Sequence, residues 1–125
     1  MRITATQKRT INGLLRQLVI LRDSEKCLRC SKIDRLQMSH IYPKGTHRKM
    51  EFLPENLKLL CVGCHLYWWH KNPIEAWEWL RETIPKERIS YLKLRSQVID
   101  KSQFDYNLTK LYLDQEIKKF QTKSI

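Results

Sequence analysis

A chain of 125 residues, 42% hydrophobic and 30% charged, has room for one small domain and enough apolar content to fold, which excludes wholesale disorder. No apolar run approaches the roughly 20 residues of a membrane span, and Met1–Thr10 is polar and basic, so neither a membrane protein nor a secretory leader is expected. The net charge is +11, and it is unevenly spread: residues 1–50 hold 12 basic and 3 acidic side chains, whereas residues 51–100 hold 7 of each. A basic excess gathered in one part of a chain suits a polyanion partner, although a solubilising surface would give the same total.

Ala5–Arg22 predicts an amphipathic helix, with Ile11, Leu14, Leu15 and Leu18 at helical spacing and Leu21 near the same face. Lys8, Arg9, Arg16 and Arg22 fall largely off that stripe, as a solvated face or as phosphate contacts. Cys27-Leu28-Arg29-Cys30 follows, and Cys61-Val62-Gly63-Cys64 matches it after thirty intervening residues. Two cysteines three apart on a tight turn aim both sulfurs at one point, and Gly63 is expected to permit the second turn. In a reducing cytoplasm, the compartment expected here, two such pairs point to a tetrahedral, fully cysteine-ligated structural Zn2+ rather than to disulfides or buried thiols. A closed site leaves no position for substrate, so this zinc would fold the protein and not do chemistry.

Between the pairs, Arg35–Ile41 predicts a strand in which Leu36 and Met38 alternate with Arg35, Gln37 and Ser39 and which leads into His40. Pro43-Lys44-Gly45-Thr46 breaks it, and a polar, basic loop carries His47, Arg48 and Lys49. A short second strand runs from Asn56 to Leu60, and a helix is expected from Val62 to about Lys71. Asn72-Pro73-Ile74-Glu75 predicts a new helix start, with Asn72 as cap and Ile74, Trp77, Leu80 and Ile84 on one face until Pro85. Lys86–Asp100 predicts a further helix with Ile89, Leu92 and Val98 or Ile99 inward. Ser102–Phe120 predicts the last, along Phe104, Leu108, Leu111 and Gln115 or Ile117.

Three residues in this frame carry chemistry: His40 at a strand end, Asn56 ahead of the second strand and His65 beside the last cysteine. Ser39-His40-Ile41-Tyr42-Pro43, then Pro54-Glu55-Asn56-Leu57, then Leu60-Cys61-Val62-Gly63-Cys64-His65 resemble the HNH, or ββα-metal, nucleases in their four-cysteine zinc form. The resemblance covers Cys27 to about Lys71. A looser likeness through Asn72-Pro73 and the Trp-rich helix is to phage recombination endonucleases of the Rap/NinG type, which cut branched DNA.

The resemblance implies an α+β fold, a small ββα-metal core stapled by the four-cysteine zinc and flanked by an N-terminal helix and two or three C-terminal helices. It divides the chain into a basic helix (1–26), the zinc-stapled core (27–71) and a helical region packed on it (72–125). It implies a metal-dependent DNA endonuclease, in the host cytoplasm if phage-encoded. His40 would be the general base, His65 a ligand of a catalytic Mg2+ or Mn2+ separate from the zinc, and Asn56 the brace of the loop between them. Many relatives place a metal-binding acid just before the base histidine. Here that position is Ser39, and His47 is a candidate substitute ligand, although a plain loop residue accounts for it as well.

Lys44, Arg48 and Lys49 are the expected phosphate contacts. Trp68 and Trp77 are expected in the core, and Trp69 is a candidate to stack on an unpaired base. A homodimer would suit the cutting of paired strands. The other function classes are a zinc-stapled DNA-binding module without activity, for which Ser39 is the argument, and a zinc hydrolase or deaminase, which four cysteine ligands and the absence of an adjacent His-x-Glu exclude.

Overall fold

The computed structural model describes residues 3–99 and 102–123. Its fold is α+β: helix α1 (Ala5–Arg22), strand β1 (Leu36–His40), strand β2 (Leu57–Cys61), a π-helical segment (Gly63–Trp69), then α2 (Pro73–Thr83), α3 (Lys86–Gln97) and α4 (Tyr106–Lys123). Two short 3-10 turns, Arg48–Met50 and Pro54–Asn56, lie in the loop that joins the strands. Among the described residues, no helix is long and apolar enough to cross a membrane.

The two strands pair antiparallel, with Leu36 opposite Cys61, Met38 opposite Leu59, Ser39 opposite Lys58 and His40 opposite Leu57. Side chains alternate across a strand, so this register sorts the hairpin into two faces. One face, with Met38, Leu57 and Leu59, packs on Ile11, Leu15, Leu18 and Val19 of α1 and on Leu113 and Ile117 of α4. Leu60 of the other face joins Ile41, Met50 and the buried cysteines in a second core with Trp69, Ala76, Leu80 and Leu92. All five residues of β2 are buried, because the strand is covered on both sides.

The N-terminus of α1 is closed by a capping box: the Thr4 hydroxyl accepts from the Gln7 backbone N–H, and the Gln7 side chain accepts from the Thr4 N–H. The buried stripe of α1 includes Val19, while Leu21 faces outward at 36% exposure. α2 begins at Pro73 as expected, but Asn72 makes no side-chain cap and its amide instead donates to the Trp68 carbonyl.

Ile74 is exposed, and Ala76 and Leu80 are the buried residues of α2. Val98 and Ile99 lie past the end of α3 and are exposed, and Asp100, the expected end of that helix, lies outside the described residues. α4 starts at Tyr106 rather than Ser102. Its buried face carries Leu113 and Ile117, leaving Leu108 and Leu111 exposed, because the α1 surface it meets selects a stripe offset from the expected one. Phe104 precedes the helix and packs instead on Phe52, ring centroids 5.3 Å apart.

Candidate functional site

The sulfurs of Cys27, Cys30, Cys61 and Cys64 all lie within 4.8 Å of one another. A tetrahedral zinc with Zn–S bonds near 2.3 Å separates its sulfurs by roughly 3.8 Å, so the cluster has the dimensions to hold such an ion. The closest hydrogen-bonded sulfur contact, Cys30 to Cys61, is 3.6 Å, far longer than a disulfide. Each pair forms the same knuckle: the Cys30 N–H reaches the Cys27 sulfur at 3.5 Å, and the Cys64 N–H reaches the Cys61 sulfur at 3.5 Å.

Directly after the first pair the backbone turns left-handed at Ser31 (φ 67°), whereas the second pair's turn has no such residue. Gly63, expected to supply conformational freedom, has no positive φ and would meet nothing within 4 Å if it carried a Cβ. Burial raises the Cys27 thiol, but backbone hydrogen bonds at Cys30, Cys61 and Arg29 overcome it and bring it down to about 7. Cys64 is pushed up to about 12, by burial first and then by the neighbouring thiols, against the pull of Arg29, whose guanidinium lies 3.5 Å from its sulfur. The four sulfurs cannot all ionise in this space without a cation between them.

The cysteine cluster lies at the end of the hairpin away from its connecting loop, where Cys61 stands opposite Leu36, and the Leu28 N–H donates to the Leu59 carbonyl at 2.9 Å. The loop end carries His40, whose Nε2 lies 3.0 Å from the Glu51 carbonyl oxygen. A carbonyl only accepts, so Nε2 carries the proton and Nδ1 keeps its lone pair. Burial holds the His40 pKa below its ordinary value, opposed by the Glu51 carbonyl and assisted by Lys44, so the ring is neutral at pH 7.

Asn56 is fully buried. Its Oδ1 accepts from the Tyr42 N–H at 2.8 Å, and its Nδ2 donates to the Tyr42 carbonyl at 3.0 Å and the Met50 carbonyl at 3.1 Å. Its own carbonyl takes the Ile41 N–H at 2.8 Å. One amide thus ties together both flanks of the loop that starts directly after His40.

The turn that presents Asn56 is clamped by two arginines: Arg22, expected on a solvated or phosphate-contacting face but engaged here by backbone carbonyls, and Arg88, which no sequence pattern singles out. Arg22, at the end of α1, donates to the carbonyls of Pro54 and Leu57. Arg88, in α3, donates to the carbonyls of Glu55 (2.9 Å) and Leu57 (2.6 Å). Asp23 pairs with Arg22 at 2.8 Å and accepts the Leu59 N–H at 3.0 Å, which fixes the first arginine to β2.

His65 sits on the π-helical segment and places Nδ1 2.8 Å from Oε1 of Gln37. The amide oxygen accepts, so Nδ1 is protonated and Nε2 is the free lone pair. Burial, then electrostatic repulsion from His70, Lys58 and His40, brings His65 down to about 4.

Beside them lies Lys58, fully buried, with Nζ 2.9 Å from the Ser39 hydroxyl and 3.2 Å from the centroid of the Trp69 ring. Trp69 is itself buried and is not available to stack on a base. In an apolar run Lys58 reads as the outward residue of a strand. Only the packing of the π-helical segment across that face encloses it.

Lys44 and Arg48 are exposed on the loop, while Lys49 is already bonded to the Ser102 carbonyl. His47 packs edge-on against Tyr42, with centroids 5.1 Å apart, and its Nδ1 meets the Thr46 hydroxyl at 2.9 Å. Comparison with protein-family models, curated proteins and solved structures gives no match for this chain.

Proposed function

We propose that the chain is a DNA endonuclease of the HNH type that hydrolyses phosphodiester bonds with His40 as general base, within a ββα-metal core. The observation that carries this reading is a pair of neutral imidazoles on the hairpin, His40 at its loop end and His65 held against Gln37 of β1. Each donates its N–H to a fixed carbonyl acceptor and keeps one nitrogen lone pair, His40 through Glu51 and His65 through Gln37.

In the reaction, His40 Nδ1 takes a proton from water as the water oxygen attacks phosphorus. The bond from phosphorus to the 3′ oxygen breaks, and that oxygen leaves with a proton from solvent. The Glu51 carbonyl strengthens as partner when the ring becomes charged, and Asn56 holds the loop that places it. Lys44 and Arg48 would meet the phosphate backbone, with Lys49 beside them. The branched-DNA specificity of the Rap/NinG likeness and a two-fold dimer extend the same reading.

The zinc belongs to the fold in this reading. Magnesium or manganese would neutralise charge on the reacting phosphate and stabilise the leaving oxygen. Around His65 Nε2 the donors do not fit a resident ion of that kind: such cations favour oxygen ligands, and the Ser39 hydroxyl already accepts from Lys58. Most ligands of the ion would therefore be phosphate oxygens and water.

The test is incubation of the zinc-loaded protein with plasmid and with branched DNA, with and without added magnesium or manganese, beside a His40→Ala variant. Cleavage by the parent and not by the variant is expected. DNA binding without cleavage under every ion would instead leave a zinc-stapled binding module.

A further inference from the structure

The hairpin face that carries His65 has a side chain where a bound cation would otherwise lie. Ser39 and Lys58 are cross-strand partners on this face, and Gln37 lies two residues along from Ser39. Gln37 is engaged by His65 and Ser39 by Lys58. Among the described residues the Lys58 amine has a neutral hydroxyl and an indole face as its partners and no carboxylate within 4 Å, and burial, then the charge of Arg88, hold its pKa well below the usual lysine value against the pull of Asp23.

Enclosing a lysine without a counter-ion is costly unless its surroundings are fixed by the fold. Here they are: Ser39 and Trp69 are buried on either side of it. A divalent ion ligated by His65 and by the side chain at position 39 would sit about 2.1 Å from the position 39 oxygen, against an ammonium 2.9 Å from that same atom. The two cations compete for one place.

We propose that Lys58 excludes divalent ions from the DNA-free protein by occupying the cation position between Ser39 and His65. The proposal rests on the reading of His65 as the ion's protein ligand. It adds that the resting chain carries its structural zinc and no second metal. An ion then joins the site only together with the anionic oxygens of a phosphodiester, which supply both its ligands and a counter-charge for the lysine.

Manganese binding, followed by electron paramagnetic resonance on zinc-loaded protein without DNA, tests this without reference to cleavage. The parent is expected to bind no manganese at this face. Ser39→Asp alone should bind poorly, because the new carboxylate pairs with Lys58. Ser39→Asp combined with Lys58→Met should bind one ion per chain at least about tenfold more tightly than Ser39→Asp, since a repelling charge is gone, and adding His65→Ala should abolish that gain.

Zinc content and far-ultraviolet circular dichroism check that each variant is folded, and Lys58→Leu replaces Lys58→Met if the latter is not. The proposal is overturned if the parent already holds one manganese at micromolar concentrations in a His65-dependent way. It is also overturned if removing Lys58 from the Ser39→Asp protein leaves the affinity unchanged. A protein that binds as expected but never cuts DNA refutes the endonuclease reading and not this one.

Discussion

Arg22 and Arg88, carried by two different helices, converge on the same acceptor, the carbonyl oxygen of Leu57. Two cations are held together there because each also takes a further carbonyl of the turn around Asn56. Burial, and then the charge of Arg22, bring Arg88 down to about 10. The turn therefore receives its shape from helices on either side of it, and His40 receives its position from the turn.

Replacing Arg88 by methionine should lower stability by about 2 kcal/mol, the scale of losing hydrogen bonds from a charged group to buried carbonyls. Lysine should restore little, since one ammonium cannot reproduce the planar fork that spans two carbonyls. Urea unfolding of the two variants at fixed zinc measures both effects, with Arg88→Lys expected near Arg88→Met and not near the parent.

His40→Ala should reduce cleavage by about 10²- to 10⁴-fold and leave DNA affinity nearly unchanged. With His40 as the proposed base, activity in the parent would need the neutral ring and would fall as pH drops through the His40 pKa. Because burial sets that pKa below 6.5, the acid limb of kcat/KM should lie below 6.5. A midpoint above 7 would show that another group is the base.

Asn56→Ala removes three hydrogen bonds and takes from the Tyr42 N–H and the Tyr42 carbonyl their partner, while the Met50 carbonyl keeps the Leu53 N–H. The expected cost is about 2–4 kcal/mol. At a temperature where the variant remains folded, kcat should drop more than affinity, because His40 loses its support while the exposed lysines and arginines keep theirs. Equal kcat in both proteins would separate Asn56 from His40 function.

The cysteine cluster should bind about one zinc per chain, and a strong chelator should convert the cooperative thermal transition into a broad one or abolish it, as in small domains whose metal affinity is folding energy. Cys61→Ser should act likewise. A chelated protein with an unchanged transition would mean that the two apolar cores suffice without the metal.

Much of this arrangement is legible in the residues. The spacing within Cys27–Cys30 and Cys61–Cys64 is local, so it announces a metal cluster that the fold then brings together. Helical periodicity finds α1 and the start of α2. What is not legible depends on contacts between distant parts of the chain. Nothing near Arg22 or Arg88 in sequence says that both will reach Leu57.

Alternation in β1 and β2 suggests one covered face, whereas both are covered, which hides the enclosure of Lys58 and Ser39. The exposed Leu108 and Leu111 illustrate the same limit: several apolar stripes fit a helical repeat, and the partner surface chooses among them. Motif alone selects His40, Asn56 and His65, and the structure supplies their hydrogen-bond partners.

The cysteine cluster, if it captures zinc, also bears on the order in which this chain assembles. The two strands of the hairpin are separated by a long irregular loop, and closing it before any strand contact forms is entropically unfavourable. Metal capture by the two cysteine pairs joins the region before β1 to the end of β2. The strands are then held near their final register by a bond that needs none of the later packing. Refolding should accordingly accelerate with zinc concentration until capture is no longer limiting, with the closing of α1 and α4 over β2 as the step that remains.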